Sequence, residues 1–327
     1  MSGVRVGVVD MGTNTTRLLV AEVLDGQVTE LEKQTTITRL GQGVDATGRL
    51  ADEAMERVRV TLAGYREAMD RLGVENVTAV ATSAMRDAEN GPAFREELAA
   101  RFGIHARTIS GDEEARLTFL GATSDRRGAG VSAETPRARV GGTDGTLVVI
   151  DIGGGSTEFV VGRAGGEPDF HVSTQLGSVR QTERHLASDP PEHTELGALA
   201  AEARAIIEDS VPSETRRAAA RVVAVAGTAT TVAAIDQELD HYDAERVHGY
   251  EVPLATLERI QSMLAALPVV ERREVVGLHP DRAPTIVAGV TILLESVRAF
   301  GLGGFTASEA DILHGAALAA AADRVGG

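Results

Sequence analysis

The sequence predicts an α/β protein in which one fold is used twice. The segment Asp10-Met11-Gly12-Thr13-Asn14-Thr15-Thr16 returns 141 positions later as Asp151-Ile152-Gly153-Gly154-Gly155-Ser156-Thr157. Each copy follows a β-branched run, Val4 to Val9 and Leu147 to Ile150, and leads into another β-favouring run, Arg17 to Val23 and Glu158 to Val161. On both sides of the repeat, stretches of strand composition alternate with stretches of helical period.

The elements follow in order. Val4 to Val9, Arg17 to Val23 and Gln27 to Thr36 read as strands, the latter two joined by a hairpin at Asp25-Gly26. Ala51 to Leu72 sets Met55, Val58, Leu62, Tyr65, Met69 and Leu72 three and four apart, one apolar stripe on a helix that Gly73 ends. Val77 to Ala81 reads as a buried strand, Pro92 to Arg101 as a helix opened by its proline, and Ile104 to Ile109 as a strand. A helix from about Glu113 to Ala122 is expected to turn Leu117, Leu120 and Gly121 inward. From Thr123 to Gly145 the period stops and Gly and Arg accumulate, which reads as a loop or linker.

The order then restarts. Leu147 to Asp151, Thr157 to Val161 and Phe170 to Thr174 read as strands, followed by helices over Val179 to Ala187 and Glu195 to Asp209. Val222 to Ala226 reads as a strand, and Thr230 to Leu239 as a helix behind a Gly227-Thr228 turn. Helices over Leu254 to Leu267 and Ala283 to Phe300, a short strand at Phe305 to Ala307 and a helix over Ala310 to Arg324 complete the chain. The expected domains are 1–123 with 310–327, and 124–309, flanking a cleft.

Composition narrows the function. A chain of 327 residues buries a large core, and without cysteine it offers no disulfide or thiolate metal site. The first residues lack the basic head and long apolar core of a secretory signal, and no uncharged apolar run approaches the ~18 residues of a membrane span. A cytoplasmic protein is the expectation, with no membrane partner. A net charge of −16 argues against nonspecific nucleic-acid binding, so any polyanionic substrate must be met by local arginine. Lys33 is the only lysine and lies in no glycine loop, which removes a Walker-type site. The eight histidines form no zinc-ligand spacing, and His241, His248 and His314 read as surface or helix-end residues.

The repeated turns carry the chemistry. Gly12, Thr13, Asn14 and Thr15, and Gly153, Gly154, Gly155, Ser156 and Thr157, have the composition of turns whose N–H groups reach phosphate oxygens, although ordinary hairpins share it. A strand, not a helix, follows each, unlike the phosphate loops of dinucleotide folds. Asp10 and Asp151 end apolar strands and Glu158 lies seven residues beyond Asp151, a set of carboxylates suited to a hydrated cation such as Mg²⁺, or simply to bonding turn N–H groups. Arg86, after the Val77 to Ala81 strand, is placed to fork onto phosphate or to lie on the surface, and the same choice holds for Arg180 and Arg282. Glu113 and Glu114 begin a helix, where carboxylates complement the dipole or face a reacting group.

With these residues in view, the layout resembles the duplicated actin-like (ribonuclease H-like) superfamily of ATPases and sugar kinases, whose two domains close on a phosphate group. The match narrows to the exopolyphosphatase/guanosine-pentaphosphate phosphohydrolase family in its short two-domain form. It rests on Asp10 to Thr16, Thr82 to Ala88 with Asn90, Ile109 to Ala115, Asp151 to Glu158, Gly177 to Arg180, Ala226 to Thr230 and Arg282-Ala283. The resemblance implies metal-assisted hydrolysis of a terminal phosphoanhydride of inorganic polyphosphate or of guanosine pentaphosphate, with Glu114 activating water while Glu113 stays with the helix N-terminus. It also implies a homodimer. The Gly227 to Thr230 block resembles the adenosine-side turn of the superfamily, and Ser308 to Gly315 departs from family versions with an arginine before the glycine. A nucleotide-binding switch or filament protein of the actin kind is the reading from another class.

Overall fold

The computed structural model describes residues 3–124, 126–127 and 145–325. The chain divides into two compact units, Met1–Arg137 with Ala310–Gly327, and Ala138–Glu309. The expected boundary at 123/124 and this division differ only within the stretch that is largely outside the described residues.

The first unit runs β1 (Val4–Met11), β2 (Thr15–Leu24), β3 (Gln27–Ile37), α1 (Val44–Thr47), α2 (Asp52–Arg71), β4 (Asn76–Ala81), α3 (Ser83–Asp87), α4 (Gly91–Phe102), β5 (Ala106–Thr108), α5 (Gly111–Ala122) and β6 (Arg126–Arg127). The second runs β7 (Leu147–Ile152), β8 (Thr157–Gly162), β9 (Pro168–Thr174), α6 (Ser178–His185), α7 (His193–Ser210), α8 (Ser213–Ala218), β10 (Arg221–Val225), α9 (Ala226–Asp236), α10 (Ala244–Val247), β11 (Glu251–Pro253), α11 (Leu254–Ala266), α12 (Val269–Arg272), α13 (Ile286–Ala299) and β12 (Gly304–Ala307). The last helix, α14 (Ile312–Val325), belongs to the first unit.

The duplication is visible in strand order. One sheet reads β3-β2-β1-β4-β5 and the other β9-β8-β7-β10-β12, with β6 and β11 added at opposite edges. In each, the first strand pairs antiparallel with the second and parallel with the strand after the crossover. This repeated α/β arrangement is the actin-like fold. Asp25 and Gly26 both have positive φ, 50° and 75°, the twist that a two-residue hairpin between β2 and β3 requires.

In the first unit the sheet is covered on both faces, and alternation along β1 sorts the side chains. Val9 and Met11 pack with Met55, Val58, Leu62 and Met69 of α2 and Phe94 and Leu98 of α4. Val6 and Val8 face the other way, against Leu117 of α5 and Leu313, Ala316 and Ala317 of α14. The second unit has one continuous core in which α7, α9, α11 and α13 contribute, and Phe159 stacks on Phe300 with ring centres 6.2 Å apart.

Several expectations need correction. Leu117 and Gly121 of α5 are buried as expected, but Leu120 is 43% exposed, because it lies about one hundred degrees around the helix from Gly121 and off the face that buries Glu114, Leu117, Thr118 and Gly121. The Gly227-Thr228 pair is not a turn but the first turn of α9, entered abruptly through Ala226 at φ 62°. The strand after α4 is limited to Ala106–Thr108, and α13 starts at Ile286 because Pro280–Arg282 forms a 3-10 turn. Within the expected Thr123 to Gly145 loop, Arg126–Arg127 pairs parallel with Val28 and Thr29, while most of the Arg126 to Arg139 segment lies outside the described residues. His314, expected at the surface or at a helix end, stands at the start of α14 but is fully buried.

Arg272 has no counterpart in the sequence reading. It is 2% exposed, and its guanidinium donates to the carbonyls of Leu264 (2.9 Å), Leu267 (2.6 Å) and Ala283 (2.8 Å). Two of these carbonyls, of Leu264 and Leu267, lie at the C-terminal end of α11, where the Arg272 side chain serves as the cap. Arg272→Met leaves three acceptors without their donor and is expected to destabilise the chain by about 2–4 kcal/mol in urea unfolding.

Candidate active site

The two acidic turns close in the same way. Gly12 N–H donates to the Thr15 carbonyl at 2.9 Å, and Gly153 N–H to the Ser156 carbonyl at 3.0 Å. In the first unit the Thr13 carbonyl accepts from Gly41 N–H (2.8 Å), and the Asn14 carbonyl from Thr38 (3.0 Å) and Arg39 (2.9 Å) N–H groups. A trans peptide points its C=O and N–H in opposite directions, so Asn14 and Thr15 N–H groups face away from that supporting segment. The Thr13 hydroxyl lies 2.8 Å from that of Ser83, which ties the turn to the start of α3.

The second turn repeats this more fully. The Gly153 carbonyl accepts from Ser178 N–H (2.9 Å), the Gly154 carbonyl from Val179 (2.9 Å) and Arg180 (3.1 Å) N–H groups, and the Gly155 carbonyl from Arg180 Nε (2.8 Å). Three successive carbonyls thus turn toward the start of α6, and the N–H groups of Gly154, Gly155 and Ser156 turn away from it, the concave donor arrangement that receives anions. Gly177 allows this approach: a Cβ there would collide with the Gly154 and Gly155 backbone. Arg180 therefore supports the turn from behind.

Register shows how the two repeats differ. Asp10 of β1 stands opposite Arg17 of β2, and Asp151 of β7 stands opposite Glu158 of β8. The same position pairs opposite charges in one unit and two carboxylates in the other. Opposite residues of neighbouring strands bring Cβ atoms to about 4.5–5.5 Å, close enough for like charges to repel. Asp151 and Glu158 are both buried, and Glu158 Oε1 accepts from Ser173 Oγ at 2.7 Å. Two buried carboxylates side by side fit a hard divalent cation, which neutralises both and completes its shell with water and substrate oxygens.

Asp10 is placed differently from the expectation of a metal ligand. Its Oδ2 accepts from Arg17 Nε (2.9 Å) and Nη2 (2.7 Å), and Arg17 Nη1 also donates to Asp311 Oδ2. A guanidinium so close repels a second cation, so direct ligation by Asp10 is disfavoured. Burial pushes the Asp10 carboxyl up from its ordinary value against the pull of Arg17. Burial works the same way on Asp311, but Arg17 and His314 outweigh it and hold that carboxyl well below its ordinary value. Asp10 Oδ1 is buried with no hydrogen-bond partner among the described residues, an acceptor suited to a water. Among the described residues no three His, Asp or Glu side chains gather into a metal cage.

Glu113 and Glu114 separate as adjacent helical residues must, about one hundred degrees apart. Ser110 caps α5 by accepting Glu113 N–H at 3.1 Å. The Glu113 side chain is exposed and pairs with Arg107, whereas Glu114 is buried with Oε2 3.9 Å from Arg86 Nη1. Arg86 also donates from Nη1 to the Ile109 carbonyl at 2.9 Å and stands 3.5 Å from Asp87. The first unit thus brings a buried carboxylate and a half-buried guanidinium together. In the second unit Arg282 lies against Gly227 at the start of α9.

Sequence reasoning missed Arg17, Asp311 and His314. The signal for Arg17 was available: it follows Asp10 by seven residues, as Glu158 follows Asp151.

The Ppx/GppA phosphatase family model matches residues 19–320. Exopolyphosphatase 2 of Mycobacterium tuberculosis is 37% identical over 98% of this chain and 100% of its own length. Among solved structures, the Aquifex aeolicus member of the Ppx/GppA family has a TM-score of 0.78 at 27% identity, covering 98% of both chains. An exopolyphosphatase from Cytophaga hutchinsonii has a TM-score of 0.85 at 25% identity, again over 98% of both. Matched along nearly its whole length in sequence and in fold, the chain belongs to the Ppx/GppA phosphatase family.

Proposed function

We propose that this protein is an exopolyphosphatase, hydrolysing the terminal phosphoanhydride of inorganic polyphosphate and releasing orthophosphate. The observation that carries the reading is the pair of identically closed turns, each with N–H groups directed away from its own supports. Such fixed donors stabilise charge that develops on phosphoryl oxygens without having to reorganise. The relatives named exopolyphosphatase support the substrate class.

Each residue has a task in this reading. Gly12, Thr13, Asn14 and Thr15, with Gly153, Gly154, Gly155, Ser156 and Thr157, bind phosphate oxygens. Glu114 accepts a proton from the attacking water, and Arg86, with Nη1 3.9 Å from Glu114 Oε2, adds a cationic fork for phosphate. Asp151 and Glu158 hold a divalent cation, Mg²⁺ in this reading, and Asp10 Oδ1 accepts from a water. When bound, the cation supplies positive charge to the leaving phosphate oxygens. The protein is read as a cytoplasmic homodimer; a net charge of −16 weighs against a nucleic-acid partner, and no described helix is long and apolar enough to cross a membrane.

Guanosine pentaphosphate, the alternative implied by the resemblance of the sequence blocks, is the second substrate to examine. A phosphate-release assay with Mg²⁺ across polyphosphate lengths, guanosine pentaphosphate and ATP tests the proposal. Fastest turnover on polyphosphate is the expected result. Preference for guanosine pentaphosphate would move the assignment within the family, and release from ATP alone, with sedimenting polymers, would replace it by an actin-like switch.

A further inference from the structure

We propose that Asp311 is a positioning residue that locks the first phosphate turn and the helix carrying Glu114 to one point. The inference rests on the function proposed above for those two parts, and it concerns the first unit alone.

The link to the turn is electrostatic. Arg17 spends Nε and Nη2 on Asp10 Oδ2, at 2.9 and 2.7 Å, and Nη1 on Asp311 Oδ2. The guanidinium is planar, so two carboxylates on its two edges fix its plane, and with it the rotamer of the residue that opens the turn. Asp311 is itself held: its Oδ1 accepts Leu313 N–H at 3.0 Å, at the start of α14. Its N–H donates to His314 Nδ1 at 3.3 Å, and His314 Nε2 lies 2.8 Å from Glu30 Oε1 on β3. Asp10, Asp311, Glu30 and His314 are all buried, so water does not compete for these bonds.

The link to Glu114 is steric. A Cβ on Gly121 of α5 would overlap the Asp311 carbonyl, and a Cβ on Gly315 of α14 would overlap the Leu117 carbonyl. The two helices therefore touch backbone to backbone, with Asp311 at the contact. Glu114 precedes Gly121 by seven residues, two helical turns, and lies on the same face of α5. A shift of Asp311 is passed to Asp10 through Arg17 and to Glu114 through α5. Small misplacements of this kind cost up to about 10²-fold in rate without removing any reacting group.

The test is Asp311→Asn, which keeps the shape and an acceptor for Leu313 N–H but removes the charge that holds Arg17, with Arg17→Lys as a second variant should the first fail to fold. Turnover of polyphosphate is expected to fall about 10- to 100-fold while KM changes less than about threefold. Hydrogen exchange without substrate is expected to speed up at least about tenfold in peptides covering 10–16 and 111–116, and to stay unchanged in β4 and in the second unit. The double variant is expected to be no slower than the worse single variant. Unchanged turnover per folded molecule, or exchange that quickens evenly through the first unit, would overturn the proposal. Should the unaltered protein hydrolyse no phosphoanhydride, the proposed function fails on its own, and the exchange pattern alone still decides for or against Asp311.

Discussion

Glu114→Gln is expected to lower kcat on polyphosphate by about 10²- to 10⁴-fold, the range that a positioned general base contributes, with KM little changed. The substitution conserves shape and burial and removes only the capacity to accept a proton. Glu114 is the natural partner for water because it is buried beside Arg86, whose nearest guanidinium nitrogen is 3.9 Å away. That separation is longer than a direct hydrogen bond. Glu113→Gln supplies the contrast: its side chain is exposed and pairs with Arg107, so turnover is expected to stay within about twofold of the unaltered protein. Steady-state kinetics on both variants, with circular dichroism to establish folding, checks the pair. Equal losses in the two would mean that the helix start matters, and not the Glu114 carboxylate.

Asp151→Asn is expected to raise the Mg²⁺ concentration for half-maximal turnover by at least about tenfold, and to lower turnover at saturating Mg²⁺ as well. The reason lies in register. Asp151 and Glu158 occupy opposite positions on β7 and β8, and in the proposed reading two carboxylates side by side are what a divalent ion requires in a buried setting. The matching Asp10→Asn change is expected to leave the Mg²⁺ requirement within about threefold, because Arg17 already neutralises that position. Calorimetric titration of Mg²⁺ into each variant reads the difference directly. Equal weakening by the two changes would put Asp10 back among the direct ligands.

How much of this was legible beforehand depends on the range of the interaction concerned. The three opening strands, the Asp25-Gly26 hairpin and the α2 stripe are set by neighbours a few residues apart, and each lies within a few residues of its expected bounds. The short helices α1, α3, α8, α10 and α12 were not foreseen, since four to six residues carry too little periodicity to register. Glu114 and the two turns were identified as candidates, but the support behind the turns was not. Carbonyls of Gly153 to Gly155 are held by α6, and those of Thr13 and Asn14 by residues 38 to 41. Gly121 faces inward as expected and meets the Asp311 carbonyl, but its neighbour Leu120 does not, because adjacent helical positions diverge by about one hundred degrees and only one of the two can face α14.

The sequence by itself determined that an acidic turn occurs twice, that each lies between strands, and that local order repeats around it. Backbone propensity and hydrophobic period act within a few residues and are written in the chain. Only the tertiary structure decided which charges meet: Arg17 with Asp311, 294 positions apart, and His314 with Glu30, 284 apart. Such pairs follow from how helices and strands pack, since a buried charge must find its partner wherever folding brings one within hydrogen-bond reach.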